Sequence, residues 1–337
     1  MIDERSVSDL TMGVGFPERD FDGYALFGAL QGHPKYKAIK LIVFLGGLDG
    51  YDWGMAHIPA DPTFAFWEIT LIGESESRRM FRTIDRGEFR TARDYLHVSL
   101  PGRVELSGSW PDWAWEMSIP DEQITVALKA TASSTYWSPN LVHKGTSWIT
   151  CAFADFRYEG TLTTGSDVTP FRGIGTFDHP MGIVRANVRS NGVGFWEWDS
   201  FMVNDDFGLF AWYAVDGAGG VIVADGVTTF PDGKTHLGRL MLDYKEFEDW
   251  RGITVPKAWS CNIEFDHGVL RYDVAAILER PPASRWQAGE ALPNPLLSVR
   301  GEFKPTQGRP IPIEGHGTGE SIQSLLDPKS RAPKRPW

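Results

Sequence analysis

The stretch Gly173-Ile174-Gly175-Thr176-Phe177-Asp178-His179-Pro180-Met181-Gly182 sets a carboxylic acid beside an imidazole within a frame of three glycines. An aspartate in an apolar, aromatic setting has its ionised form disfavoured, so it keeps its proton to higher pH. Such an acid can protonate an alkene or a departing hydroxyl near neutrality. On this reading Asp178 is the general acid/base and His179 its proton partner. Gly173 and Gly175 let a strand bend or approach another backbone. Pro180 is expected to stop the strand, leaving Asp178 and His179 at its end, where barrel mouths place functional groups. Successive strand residues point to opposite faces, so only one of the pair should enter a given cavity unless the strand end relaxes the rule. The alternative is a structural turn, with Asp178 accepting backbone N–H bonds and His179 exposed.

About twenty residues on comes Trp196-Glu197-Trp198-Asp199. In a strand the two indoles share one face and the two carboxylates the other. Either the indoles face the core and the carboxylates face water, or one set lines a ligand cavity while the other meets a neighbouring unit. In the second case Trp196 and Trp198 are pocket walls, and Glu197 or Asp199 orients water or a substrate hydroxyl. A carbocation formed by protonation would lie against aromatic faces, where cation–π attraction helps.

Other chemistries lack their residues. The remaining histidines, His33, His57, His97, His143, His236, His267 and His316, are scattered, with no His-Glu-x-x-His or His-x-His arrangement, so no metal site is expected. Gly46-Gly47-Leu48-Asp49-Gly50 lacks the Lys-Ser/Thr ending of a phosphate loop. No Gly-x-Ser-x-Gly elbow is present. Cys151 and Cys261 make neither a disulfide framework nor a zinc signature. A net charge of −11 argues against phosphate-backbone binding, so no nucleic-acid partner is expected.

The elements that must hold these residues read as short strands. Among 337 residues there are 36 Gly, 22 Pro, 14 Trp and 20 Phe, a turn-rich and aromatic balance that favours strands over long helices. Leu41–Leu45, Phe64–Ile72, a His97–Leu106 hairpin, Thr125–Ala130 and Trp148–Thr163 fall in the first half. Phe195–Val203, Gly208–Val215, Val221–Ala224, Leu237–Leu242, Cys261–Phe265 and Leu270–Ala275 fall in the second. Strands at this spacing with turn signals between them indicate sandwiches or barrels. Arg78–Arg93 is the one stretch that reads as a long helix, weakened by Gly87. Each half has the strand count of one up-and-down barrel, a size that fills with side chains or holds one small ligand. The expected organisation is a wrapping segment over 1–35, a first barrel over 36–184, a second over 185–326 and a disordered basic tail over 327–337. The start lacks an apolar leader and no apolar run is long enough to span a bilayer, so a cytoplasmic location without stable membrane insertion is expected.

The order of elements resembles the AttH-like and carotenoid 1,2-hydratase superfamily of lipocalin-like proteins, which includes kievitone hydratase and fungal Diels–Alderases. The resemblance covers most of residues 130–325. It rests on Ser138-Pro139, Gly160-Thr161-Leu162-Thr163, the Gly-x-Gly-x-x-Asp segment ending in Gly182, Trp196 to Trp198, Leu209 to Tyr213, Asp225 to Thr229, and Gly315-His316-Gly317-Thr318-Gly319-Glu320. It implies an all-β molecule of two packed lipocalin-like barrels with few helices and a ligand site at their interface. It also implies cofactor-free hydration, dehydration, isomerisation or cyclisation of an apolar molecule, with Asp178 at the position of the candidate acid. Trp212 and Tyr213 join the expected substrate-binding set. His179-Pro180-Met181 departs from the more polar stretch usual before the closing glycine. A lipophile carrier and a carbohydrate-binding β-protein are the competing readings. A carrier needs no acid buried with its ligand, and a sugar binder needs flat, exposed indoles.

Overall fold

A computed structural model describes residues 21–46, 64–91, 96–138, 141–143, 146–184, 193–216, 218–230, 234–250, 253–277 and 295–322. The start of the second expected barrel, over 185–192, most of the glycine run after Gly46, and the basic tail lie outside the described residues. Strands dominate, with two single-turn 3-10 segments, Arg86–Glu88 and Pro120–Glu122, and no α-helix among the described residues.

The first unit is one antiparallel sheet. Its strands are β1 (Phe21–Ala29), β2 (Ala38–Leu45), β3 (Phe64–Ile72), β4 (Ser77–Asp85), β5 (Arg90–Thr91), β6 (Leu96–Leu100) and β7 (Val104–Ser109). They continue with β8 (Asp112–Ile119), β9 (Ile124–Ala132), β10 (Tyr136–Trp137), β11 (Leu141–His143), β12 (Thr146–Thr164) and β13 (Asp167–Val184). The main order is β4-β3-β2-β1-β13-β12-β9-β8-β7-β6-β5, a curled sheet wrapped round its own apolar face. The second unit is a closed eight-stranded barrel. Its strands are β14 (Val193–Val203), β15 (Phe207–Asp216), β16 (Val221–Thr229), β17 (Thr235–Trp250), β18 (Ile253–Phe265), β19 (Gly268–Ile277), β20 (Leu296–Pro305) and β21 (Ile311–Ile322). The chain is therefore all-β with two barrel-like units.

Three expectations need correction. Phe21–Ala29 is no outer wrap, since it pairs with β2 on one side and β13 on the other. Arg78–Arg93 is no helix: Ser77–Asp85 pairs residue for residue with β3, and the chain turns at Asp85, whose carboxylate accepts the Gly87 N–H. Pro180 does not end its strand, which runs to Val184. Proline normally breaks a ladder because it has no N–H to donate. Here the pairing with β1 skips from Asp22–Met181 to Ala25–Asp178, so no bond is asked of it. Gly23 opposite makes room for the ring; a Cβ there would sit 2.8 Å from Pro180 Cγ.

Face alternation sorts the side chains. Tyr24, Leu26, Leu41, Val43, Trp67, Ile69, Trp115, Phe153 and Phe177 fill the curled first sheet. A one-residue bulge in β12 between Phe153 and Phe156 lets both phenyl rings enter that core. The opposite face, with Ala25, Phe27, Ile42, Phe44 and Phe66, packs against the outside of the second barrel at Trp196, Trp198, Phe210 and Trp212. Strands β2 and β15 sit in this seam and are buried on both sides, so they read as continuous apolar runs rather than alternating ones.

Candidate active site

The seam between the two units encloses a cavity of about 50 Å³. The first sheet contributes Phe27, Phe44 and Phe66, and the second barrel contributes Trp196, Trp198 and Trp212. The indoles of Trp198 and Trp212 meet edge to face at 4.9 Å between ring centroids. Two carboxylic acids line this aromatic space, Asp178 from β13 and Glu320 from β21.

Asp178 faces the seam because strand alternation sends it there. Its cross-strand neighbours are Ala25 on β1 and Ala152 on β12. Both are small, so the carboxyl stands clear on that face. Thr150 donates its hydroxyl to Asp178 Oδ1. Thr150 is itself fixed by its backbone N–H, which donates to Ser138 Oγ at 2.9 Å. Burial pushes the Asp178 pKa up from its ordinary 3.8 to about 7; the Thr150 hydrogen bond opposes the rise and the Glu320 charge adds to it. Near neutral pH Asp178 is thus poised between donor and acceptor.

Glu320 accepts an ion pair from Lys40 Nζ at 3.3 Å, with both side chains almost fully buried. Lys40 comes from β2, so the pair crosses the seam. The Lys40 ammonium also lies 5.2 Å from the centroid of the Phe27 ring. Behind it, Glu68 on β3 accepts from Arg79 at 2.7 Å and from the Thr70 hydroxyl at 2.6 Å. Burial alone would raise the Glu68 pKa, but Arg79 and Lys40 outweigh it and hold the pKa below the usual value. A row of alternating charge, Arg79, Glu68, Lys40 and Glu320, therefore leads to the cavity. Behind Trp212 the Tyr136 hydroxyl donates to Asp225 at 2.5 Å, and the Tyr136 ring packs against Phe210 and Trp212.

The residues singled out from sequence divide between three places. Asp178, Trp196, Trp198 and Trp212 meet at the cavity. His179 does not join them: it points into the first sheet's core, stacks on Tyr24 at 4.5 Å, and pairs with Asp22 at 3.3 Å. One peptide bond separates it from Asp178, and the pleat sends it through the sheet. Glu197 and Asp199 point into the second barrel. There Glu197 accepts from the Tyr244 hydroxyl at 2.8 Å, and burial followed by the Glu197 charge raises the Asp199 pKa well above the carboxylate range. Tyr213 lies in the same barrel core.

Lys40, Glu68, Thr150 and Glu320 escape the sequence reading. A signal existed for two of them. Lys40 and Glu68 each stand alone in a run of apolar strand residues, and a charge on a strand buried from both sides must find a partner. Among the described residues no group of three or more His, Cys, Asp or Glu side chains is arranged to hold a metal ion. No helix among them is long and apolar enough to cross a membrane.

No family model and no curated protein sequence matches this chain. Solved structures do. An AttH candidate from Nitrosomonas europaea (NE1406) superposes with a TM-score of 0.62 at 14% identity, over 90% of this chain and 92% of that one. Kievitone hydratase from Nectria haematococca superposes with a TM-score of 0.57 at 12% identity, over 89% and 88% of the two chains. The chain has the two-unit fold that these proteins share.

Proposed function

We propose that this protein is a cofactor-independent lyase or isomerase of the hydratase, dehydratase or cyclase type, acting on an unsaturated, largely apolar small molecule. The observation that carries the reading is Asp178: a carboxyl held protonated up to about pH 7 on the wall of an aromatic cavity. The likeness to kievitone hydratase supports the reaction type. Asp178 donates a proton to a substrate carbon or a leaving hydroxyl. Trp196, Trp198 and Trp212 offer indole faces to the cation that results. Thr150 fixes the carboxyl and so the direction of transfer.

The cavity has room for a few waters, at ~10–15 Å³ each, or for the reacting end of a larger molecule. The aromatic walls must turn aside to admit the rest. A dedicated carrier would need a roomier, purely apolar space, and a sugar binder would present its indoles to solvent; Trp196, Trp198 and Trp212 are all buried.

The test is incubation of the full chain with an apolar extract of its source organism, with mass spectrometry of compounds consumed and formed. The wild type should convert at least one compound to a product differing by water or to an isomer. Asp178→Asn should fold and lower that turnover by roughly 100-fold or more, the share expected of a positioned acid. Equal turnover by the two proteins refutes the assignment.

A further inference from the structure

We propose that Glu320, seated by Lys40 across the seam, is the base that works opposite Asp178, activating the water that is added or receiving the proton that is lost. This rests on the acid–base reading above and names the second half of its chemistry. Sequence offered His179, Glu197 and Asp199 for that task, and the pleat turns all three away from the cavity. Glu320 is the carboxyl that shares the cavity wall with Asp178.

The placement distinguishes the roles of the two acids. Asp178 has a hydroxyl donor, Thr150, and no cation among its partners in the described residues, whereas Glu320 has the Lys40 ammonium. The Lys40 ion pair holds the Glu320 carboxyl in place on the cavity wall as an acceptor, and a positioned acceptor is what a base needs. Lys40 is itself backed by Glu68, and Glu68 by Arg79. Trp196, Trp198, Phe27 and Phe44 supply no titrating group to the cavity. The Tyr136 hydroxyl, which does not line the cavity, is committed to Asp225. Cys151, opposite His179 in the β12–β13 pairing, lies in the first sheet's core, with its thiol pKa pushed up by burial and by the Asp178 charge.

In the hydration direction the proton of Asp178 forms a C–H bond as the substrate's π bond breaks, leaving a cation beside the indoles. Water oxygen then bonds to the cationic carbon while Glu320 takes one of that water's protons. The proton passes from Glu320 back to Asp178 across the cavity, and the sum is alkene plus water to alcohol. Dehydration runs the same steps backward. Isomerisation omits the water, with Glu320 removing a proton from a neighbouring carbon. No oxidant or reductant enters. The substrate this site suits is an alkene, or its hydrated alcohol, flanked by flat apolar groups.

Two measurements on the full chain test this. In the first, carbon-13 at the aspartate carboxyl carbon follows the Asp178 titration in the ligand-free protein. Glu320→Gln should lower the Asp178 midpoint by removing a neighbouring negative charge; an unmoved midpoint overturns the pairing. In the second, the apolar extract is incubated in oxygen-18 water and label entering the products is counted. At about pH 5 Asp178 is protonated in both proteins, so a purely electrostatic role for Glu320 would leave the variant as fast as wild type and overturn the proposal. A base role predicts a loss of roughly 100-fold that persists at that pH. If Glu320→Gln does not fold, the Lys40→Met/Glu320→Gln double variant removes the pair whole and carries the second readout. Label lost in Asp178→Asn but kept in Glu320→Gln overturns only the base role. No conversion by wild type, by water addition or by isomerisation, overturns the parent reading and the base role with it.

Discussion

At the scale of single residues, two buried acids, Asp178 and Glu68, pull stability in opposite directions as pH changes. Asp178 has a folded pKa of about 7 against an ordinary 3.8, so between those values the folded state holds a proton that the unfolded chain has released. Its contribution to stability is therefore greatest at low pH, declines as pH rises from about 4 to about 7, and stays low above that, a loss of at most about 4 kcal/mol. Asp178→Asn, which mimics the protonated acid, should remove this decline: denaturant titrations at acid and alkaline pH should show the variant gaining on wild type as pH rises. A constant difference between the two proteins across pH would refute it. Glu68 behaves in the other sense, since its pKa is held down in the fold. What it contributes is present above the unfolded carboxylate value and is lost on acidification. Glu68→Gln removes the charge that the buried Arg79 pairs with at 2.7 Å and should cost about 3–5 kcal/mol at neutral pH, read from the denaturation midpoint.

At the scale of elements, β13 carries the argument, because it runs between β1 and β12 and brings Asp178 to the seam. Its fit to β1 depends on close backbone approach. A Cβ at Gly175 would lie 2.3 Å from the Phe27 carbonyl oxygen. That oxygen belongs to a paired strand and cannot swing aside as a side chain would. Gly175→Ala should therefore cost about 1–3 kcal/mol of stability, as overpacking does. Because β1 would shift along with Ala25, the neighbour of Asp178, turnover should fall as well. A variant as stable and as active as wild type would show that β1 has slack. The glycine pattern around Asp178 was legible in sequence as a sign of close approach. Pro180 was not legible as a mid-strand residue, because its tolerance depends on Gly23, which lies far off in sequence and opposite in space.

At the scale of the whole molecule, the seam is held by aromatic packing and by polar links that cross it, among them Lys40 to Glu320, Tyr136 to Asp225 and Thr176 to Ser200. The second can be tested without touching the acids. Tyr136→Phe keeps the ring against Phe210 and Trp212 and removes only the hydroxyl. A hydrogen bond to a charged partner contributes about 1.5–3 kcal/mol, so the denaturation midpoint should fall by that order. An unchanged midpoint would mean that the link adds nothing to the joining of the two units.

By itself the sequence determined the class of the molecule and the faces of its strands. Period-2 alternation, such as Val98, Leu100, Val104 and Leu106 in the β6–β7 hairpin, is a local property of the chain and survives into the fold. The same rule placed Trp196 and Trp198 together and kept Glu197 and Asp199 apart from them. Tertiary structure decided which face looks onto what. Whether an indole meets solvent, a core or a second unit depends on a surface built from residues more than a hundred positions away. That is why Asp178 lines the cavity while His179, its neighbour in the chain, lies on the other side of the sheet. Glu320 and Lys40, 280 positions apart, became partners only when the curled sheet and the closed barrel were pressed together.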